Sequence, residues 1–167
     1  MYELKLIETY KTDLEKYSVE QLRYSPAVEA WSISQVYDHV IVVAHEYLDQ
    51  VDTCATLKTK QKSGKTDFGE QLFKRGSFPA IKIKLPDELN APPSNIDSKE
   101  FLQNRLTELS ERMKILRETA AESNREYKIK HGGFGWLNAQ EWYDLIGMHF
   151  RHHTRQIEET NKSNRSE

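Results

Sequence analysis

Six histidines stand in a chain that has one cysteine, and three of them, His149, His152 and His153, crowd together near its end. A neutral imidazole offers a nitrogen lone pair to a late transition metal. Two imidazoles four residues apart on a helix lie one turn from each other, where they can converge on one ion. Helical phase says which way they face. At about 100° per residue, with Trp142 at zero, Leu145 lies near −60°, Ile146 near +40°, Gln156 near −40° and Ile157 near +60°. On the same scale His149 falls at about −20° and His153 at about +20°, inside the apolar stripe, while His152 sits at its margin, about −80°.

A single histidine on an apolar face is ordinarily a hydrogen-bonded core residue, so a third ligand decides between a core pair and a metal site. The candidates are His39, His45 and His131. Measured from Val40, at the middle of its own stripe, His45 lies at about +140° and is expected to face water, whereas His39 lies at about −100°, on the flank of the buried face. His131 adjoins Gly132 and Gly133 and reads as a loop or helix-entry residue. Periodicity therefore leans towards His39. Asp38 is expected to point elsewhere on the same helix. His152 or Gln156 could hydrogen-bond a ligand or a substrate, since ligating imidazoles usually give their second N–H to an acceptor. Trp31, Trp136 and Trp142 read as packing at the core and the helix junctions rather than as a substrate cage. Cys54 reads as a small buried residue, with no basic neighbour in sequence to activate it.

The elements that must position these residues are helical. Gly (7) and Pro (5) are few and clustered, leaving long segments with a 3.6-residue period. Ile7, Tyr10, Leu14 and Tyr17 mark a first helix ending near Tyr17. Ser18 to Gln21 has the capping-box pattern of a short second turn through Leu22. Ser32-Ile33-Ser34-Gln35 caps a second long helix carrying Val36, Val40, Ala44, Tyr47 and Val51, whose pattern fails after Thr53. A long connection follows, in which Phe68 to Phe73 suggests a short helix and Ile81 to Leu85 alternates like an edge strand or extended arm. Asp97 or Ser98 opens a third helix with Leu102, Leu106, Leu109, Met113, Leu116 and Ala120. After a polar breaker ending in His131-Gly132-Gly133-Phe134-Gly135, Asn138 opens a fourth that runs to about Thr160. Residues 1–160 are thus expected to form one all-α, four-helix bundle domain with a long crossover between helices two and three, and residues 161–167 a frayed tail.

Composition narrows the class further. The chain has 167 residues, 37% hydrophobic and 30% charged, with 24 basic against 26 acidic side chains, and no basic block suggests a nucleic-acid footprint. No run approaches the roughly 18 apolar residues of a membrane span, and the first residues lack the order of a secretory signal, so a cytoplasmic protein without membrane or nucleic-acid partners is expected.

The order of these pieces carries a resemblance. Trp31-Ser32 followed by His39 in WSISQVYDHV, the approach SVEQLRYSP, the arm IKIKLPDELNAPP and the ending HGGFGWLNAQEWYDLIGMHFRHHTRQIEE together resemble the DinB/YfiT-like superfamily, within it the second DinB-type subfamily. The resemblance implies a four-helix bundle in up-down-down-up order. It also implies a metal held by one histidine of the second helix and two, four apart, from the last, which map onto His39, His149 and His153. Members often have His-Pro ahead of Phe-Gly before the last helix. Here the place reads His131-Gly132-Gly133-Phe134-Gly135, so a looser loop is expected at the site entrance.

Three neutral imidazoles leave at least one coordination position open, the mark of a catalytic rather than a structural zinc-type site. Zinc or nickel would suit them. A cation whose charge no ligand cancels lowers the pKa of bound water or of a thiol replacing it. The resemblance implies thiol-dependent S-transferases using low-molecular-weight thiols such as bacillithiol or mycothiol, or metal-dependent hydrolases. The reading is a protein that activates a small thiol, or water, at His39, His149 and His153, with a small thiol or electrophile as partner. The alternative is a non-catalytic bundle used for binding or dimerisation, since no paired carboxylates and no Gly-rich phosphate loop are present. The supply of Tyr, Phe and Leu beyond what each helical face requires makes a homodimer the expected assembly.

Overall fold

The computed structural model describes residues 2–79 and 92–166. Its elements are α1 (Tyr2–Lys16), α2 (Val19–Arg23), α3 (Ile33–Thr56), α4 (Asp67–Arg75), α5 (Lys99–Glu122), β1 (Lys128–His131), β2 (Gly135–Asn138) and α6 (Ala139–Arg165). Among the described residues the fold is all-α apart from one small hairpin. The expected arm at Ile81 to Leu85 lies outside the described residues.

Helix starts follow their capping residues. Ser18, Ser32 and Asn138 each close a capping box with the residue three positions on, Gln21, Gln35 and Glu141, while Thr66 and Ser98 cap α4 and α5 through their hydroxyls. Each box satisfies two backbone N–H groups that the first turn would otherwise leave bare, and so fixes the register of the helix that follows. α3 has a wide apolar face, burying Ile33, Val36, Tyr37, Val40, Ile41, Ala44, Leu48, Val51 and Cys54. Three phenols tie the helices together. Tyr10 donates to the Phe150 carbonyl (2.6 Å), Tyr37 to the Tyr10 carbonyl (2.7 Å) and Tyr143 to the Met113 carbonyl (3.0 Å). Each ring thus buries its area without leaving its hydroxyl bare.

Side-chain pairings give the helix directions. Asp38 meets Arg105, while His45, Asp49 and Asp52 meet Arg112, so positions rise together and α3 runs parallel to α5. Across α3 and α6 they run oppositely: His39 lies against His153 and His149, and Tyr47 against His149 and Trp142. α1 runs with α6, Tyr2 touching Arg151 and Tyr10 touching Thr154. With α1 up, α3 and α5 go down and α6 returns up, an order that needs a long connection between α3 and α5. No described helix is long and apolar enough to cross a membrane.

Four details differ from the sequence reading. α3 continues past Thr53 to Thr56, with the Leu57 N–H donating to the Cys54 carbonyl. α6 continues past Thr160 to Arg165, so most of the expected tail is helical; Thr160 is buried, and Tyr24 pairs with Ser163 at 3.1 Å. The polar breaker before α6 is a hairpin, Lys128 pairing with Asn138 and His131 with Gly135. Its four-residue strands are too short for alternation to show. The connection also joins it, since Lys65 bridges to Gly135, Thr66 N donates to the Phe134 carbonyl (3.0 Å) and Trp136 N to the Gly64 carbonyl (3.1 Å). Gly135 makes this approach possible: its φ is +85°, and a Cβ there would lie 2.6 Å from Thr66 N.

Candidate metal centre

The Ser32 capping box sets the phase of α3, and two turns later that phase delivers His39 to the seam with α6. The Asn138 box does the same for α6, which presents His149 and His153 one turn apart. The three imidazoles meet. His149 Nε2 lies 3.1 Å from His39 Nε2 and 3.0 Å from His153 Nε2, and the three donor atoms all lie within 4.8 Å of one another. His149 is 9% exposed and His153 8% exposed; His39 is half-buried.

Three ring nitrogens facing one point are poorly served by hydrogen bonds alone. His153 Nδ1 is 2.8 Å from Gln156 Oε1, an acceptor, so the proton sits on Nδ1 and the Nε2 lone pair faces His149. His149 Nε2 can donate to one neighbour at most, and its Nδ1 is buried with no partner among the described residues. A cation fits the donor set. With metal–nitrogen bonds of about 2.0–2.1 Å, two ligands can be at most about 4.2 Å apart, so the widest pair needs to close by roughly half an ångström. The nearer pairs already fall in range.

Charge favours the same reading. Burial pushes His39 down to about 4, against the opposing pull of Asp38, and burial followed by the proximity of His39 pushes His153 down to about 4. Burial, reinforced by its three histidine neighbours, holds His149 well below the usual range. All three are neutral at pH 7, the form that coordinates. Asp38 does point away, as expected. Its carboxylate accepts from Arg105 (2.7 Å) and from Ser94 N (3.0 Å), and Arg105 also reaches Asp97 at 3.0 Å. Gln35 donates to the Pro93 carbonyl (3.1 Å) and Ser32 to Asn95 (2.6 Å), so the chain returning from the crossover is pinned along the turn that carries His39.

The remaining histidines separate from this group. His45 does not face open water: Arg112, itself engaged by Asp49 and Asp52, lies 3.1 Å from its Nδ1 and reaches its carbonyl at 3.3 Å. α5 packed beside α3 takes up a helix face that, seen alone, looks solvated. His131 ends β1, where its Nδ1 accepts from Gly133 N (3.0 Å) and Phe134 N (3.2 Å) and its ring stacks on Phe134 at 4.1 Å. This, with the Thr66 hydroxyl donating to the Gly133 carbonyl at 2.9 Å, ties down the diglycine loop expected to be loose. His152 is half-buried, with its ring 5.1 Å from His153 and 5.6 Å from Phe78. Cys54 is fully buried, and burial pushes its thiol up to about 11.

Sequence reasoning missed the rings around the imidazoles. Trp31 lies 4.9 Å from His39 and, nearly parallel (17°), 6.5 Å from His153. Tyr47 lies 6.2 Å and Phe78 5.8 Å from His149. Tyr47 lies on the expected apolar face, and Trp31 reads in sequence as packing. Phe78 arrives through a connection with no periodic signal.

A family profile described as the DinB superfamily matches residues 8–157, a span that holds all three histidines, the whole of α3 and α5 and the greater part of α1 and α6. The chain belongs to the DinB superfamily. It is also similar to the Bacillus subtilis protein "Uncharacterized protein YuaE", 27% identical over 156 residues that cover 92% of this chain and 90% of that one. No solved structure matches. This DinB-superfamily bundle therefore brings together the set His39, His149 and His153, while His45 and His131 stand apart from it.

Proposed function

We propose that this DinB-superfamily protein holds a divalent transition metal, zinc or nickel, on His39, His149 and His153 and activates a small thiol, or water, against an electrophilic substrate. The observation that carries the reading is the meeting of three Nε2 atoms, with the lone pair of one aimed inward by Gln156. The ion would supply Lewis acidity at an open position, making a thiol or water more acidic near neutral pH.

The chain's own residues do the rest. Gln156 holds the His153 tautomer, and the capping boxes of α3 and α6 hold the turns that carry the ligands. Trp31, Tyr47 and Phe78 surround the imidazoles with uncharged rings, which lowers the local dielectric and limits water at the site. Asp38, engaged by Arg105, cancels none of the cation's charge directly. In a transfer, the thiol's proton leaves to solvent or a base, a bond from sulfur to the electrophilic carbon forms, and the bond to the leaving group breaks.

The test is a screen of zinc- and nickel-loaded protein against small thiols paired with alkylating electrophiles, following thiol loss. Turnover above that of the free ion, abolished in His149→Ala, is the expected result. One ion per chain with no turnover would assign the bundle to binding rather than catalysis.

A further inference from the structure

The rings around the three imidazoles come from separate parts of the chain: Trp31 from the loop before α3, Tyr47 from two turns beyond His39, and Phe78 from the connection after α4. Their half-buried state sets them apart from Trp142, Tyr143 and Phe150, which are at most 5% exposed and serve the core. All three pack against the core, yet each keeps part of its surface uncovered beside a polar cluster, as the walls of small-ligand sites do.

Charge adds a second constraint. The ligand imidazoles are neutral, and the carboxylate adjoining them, Asp38, is bound by Arg105 and Ser94 N. The nearby cations are engaged as well. Arg105 holds Asp38 and Asp97, Arg23 holds Ser34 and the Asp97 carbonyl, and Arg151 holds the Gly76 carbonyl against Tyr2. A divalent ion would therefore keep its charge and favour an anionic donor, while Arg105, Arg23 and Arg151, being engaged, are not free to pair a second or third negative charge on the ligand.

We infer that this site selects a ligand with one anionic donor atom on a flat, uncharged body, and that Trp31 is its main specificity-determining side chain, with Phe78 and Tyr47 completing the wall. The inference rests on the proposed three-histidine metal site and names the class of molecule that site takes. Polyanionic ligands are disfavoured by the same arrangement.

Cobalt-loaded protein tests it without turnover, because the visible bands of cobalt respond to a ligand entering its open position. Benzoate, acetate and terephthalate, whose second carboxylate cannot reach the same ion, are titrated at pH 7.5, where all three are ionised and donor basicity differs little between the first two. Benzoate is expected to bind about tenfold more tightly than acetate and about tenfold more tightly than terephthalate, the size of effect that ring burial and one unpaired charge produce. Trp31→Ala should bring benzoate down to the level of acetate while leaving one cobalt per chain, and Phe78→Ala should move it in the same direction. Equal affinities of benzoate and acetate in the wild type, or benzoate binding unchanged in both variants, would overturn the inference. Failure to take up cobalt at all would instead overturn the metal site beneath it.

Discussion

Gln156→Leu removes the acceptor that fixes His153 and keeps much of the side chain's volume. In the native protein the His153 Nδ1–H meets Gln156 Oε1 at 2.8 Å, on a ring only 8% exposed. Two costs to metal binding follow from its loss. The Nδ1–H of a coordinated His153 would be buried without an acceptor, which costs about 1–3 kcal/mol. In the metal-free variant the proton is also free to move to Nε2, the atom that must coordinate, so an ion must first drive the tautomer back. Gln156 is only half-buried, and water can replace part of what it gives. The lower half of the range is therefore expected, about five- to thirtyfold weaker zinc binding, overlapping the general effect of removing the partner of a ligating imidazole. Competition against a chromophoric chelator measures it, and Gln156→Glu, which restores an acceptor, should recover the affinity. Zinc binding by Gln156→Leu within twofold of the wild type would refute the reasoning, whatever the variant does to thermal stability.

Other expectations follow from the same geometry. His39 and His153 are pushed down to about 4, so protons compete with a metal only well below neutrality: loading should persist at about pH 5.5, where an ordinary histidine is mostly protonated, and fail near pH 4, as followed by metal retention on desalting. Without metal the unfolded chain takes up these protons first, so stability should fall as pH drops from about 6.5 to about 4 in a denaturation series. Arg105→Met leaves Asp38 and Asp97, both largely buried, without their cation and should cost about 2–3 kcal/mol by urea denaturation, below the usual cost for fully buried pairs. Gly135→Ala forces a Cβ to within 2.6 Å of Thr66 N at a φ of +85°. It should cost about 2 kcal/mol and free residues 64–66 to amide exchange.

The parts of this account that were legible in the sequence share one property: their signal repeats along a helix. His149 and His153 are two such positions, and their phase against Trp142 and Ile157 was enough to turn them inward. His39 was legible less directly, as a flank position whose exposure depends on what lies beside α3. His45 shows the limit of that reasoning. Its phase is correct, but α5, which runs parallel to α3 through a crossover of undetermined path in sequence, supplies Arg112 and closes the face. The hairpin was hidden because four-residue strands carry no period and because its third partner, Lys65, lies some seventy residues upstream of Gly135, a distance that local pattern does not span. Phe78 was hidden for the same reason. Trp31 was visible as a residue and read as packing, since a sequence does not say how much of a ring stays uncovered.

If His39, His149 and His153 share one ion, as proposed, His149 is the member that matters most, since its Nε2 touches both others. Zinc titration of chelator-stripped wild type and His149→Ala, read by elemental analysis after gel filtration, tests it most directly. One zinc per chain in the wild type and almost none in the variant is the predicted result. A wild type that retains no zinc, or a His149→Ala protein that still holds a full equivalent, would contradict it.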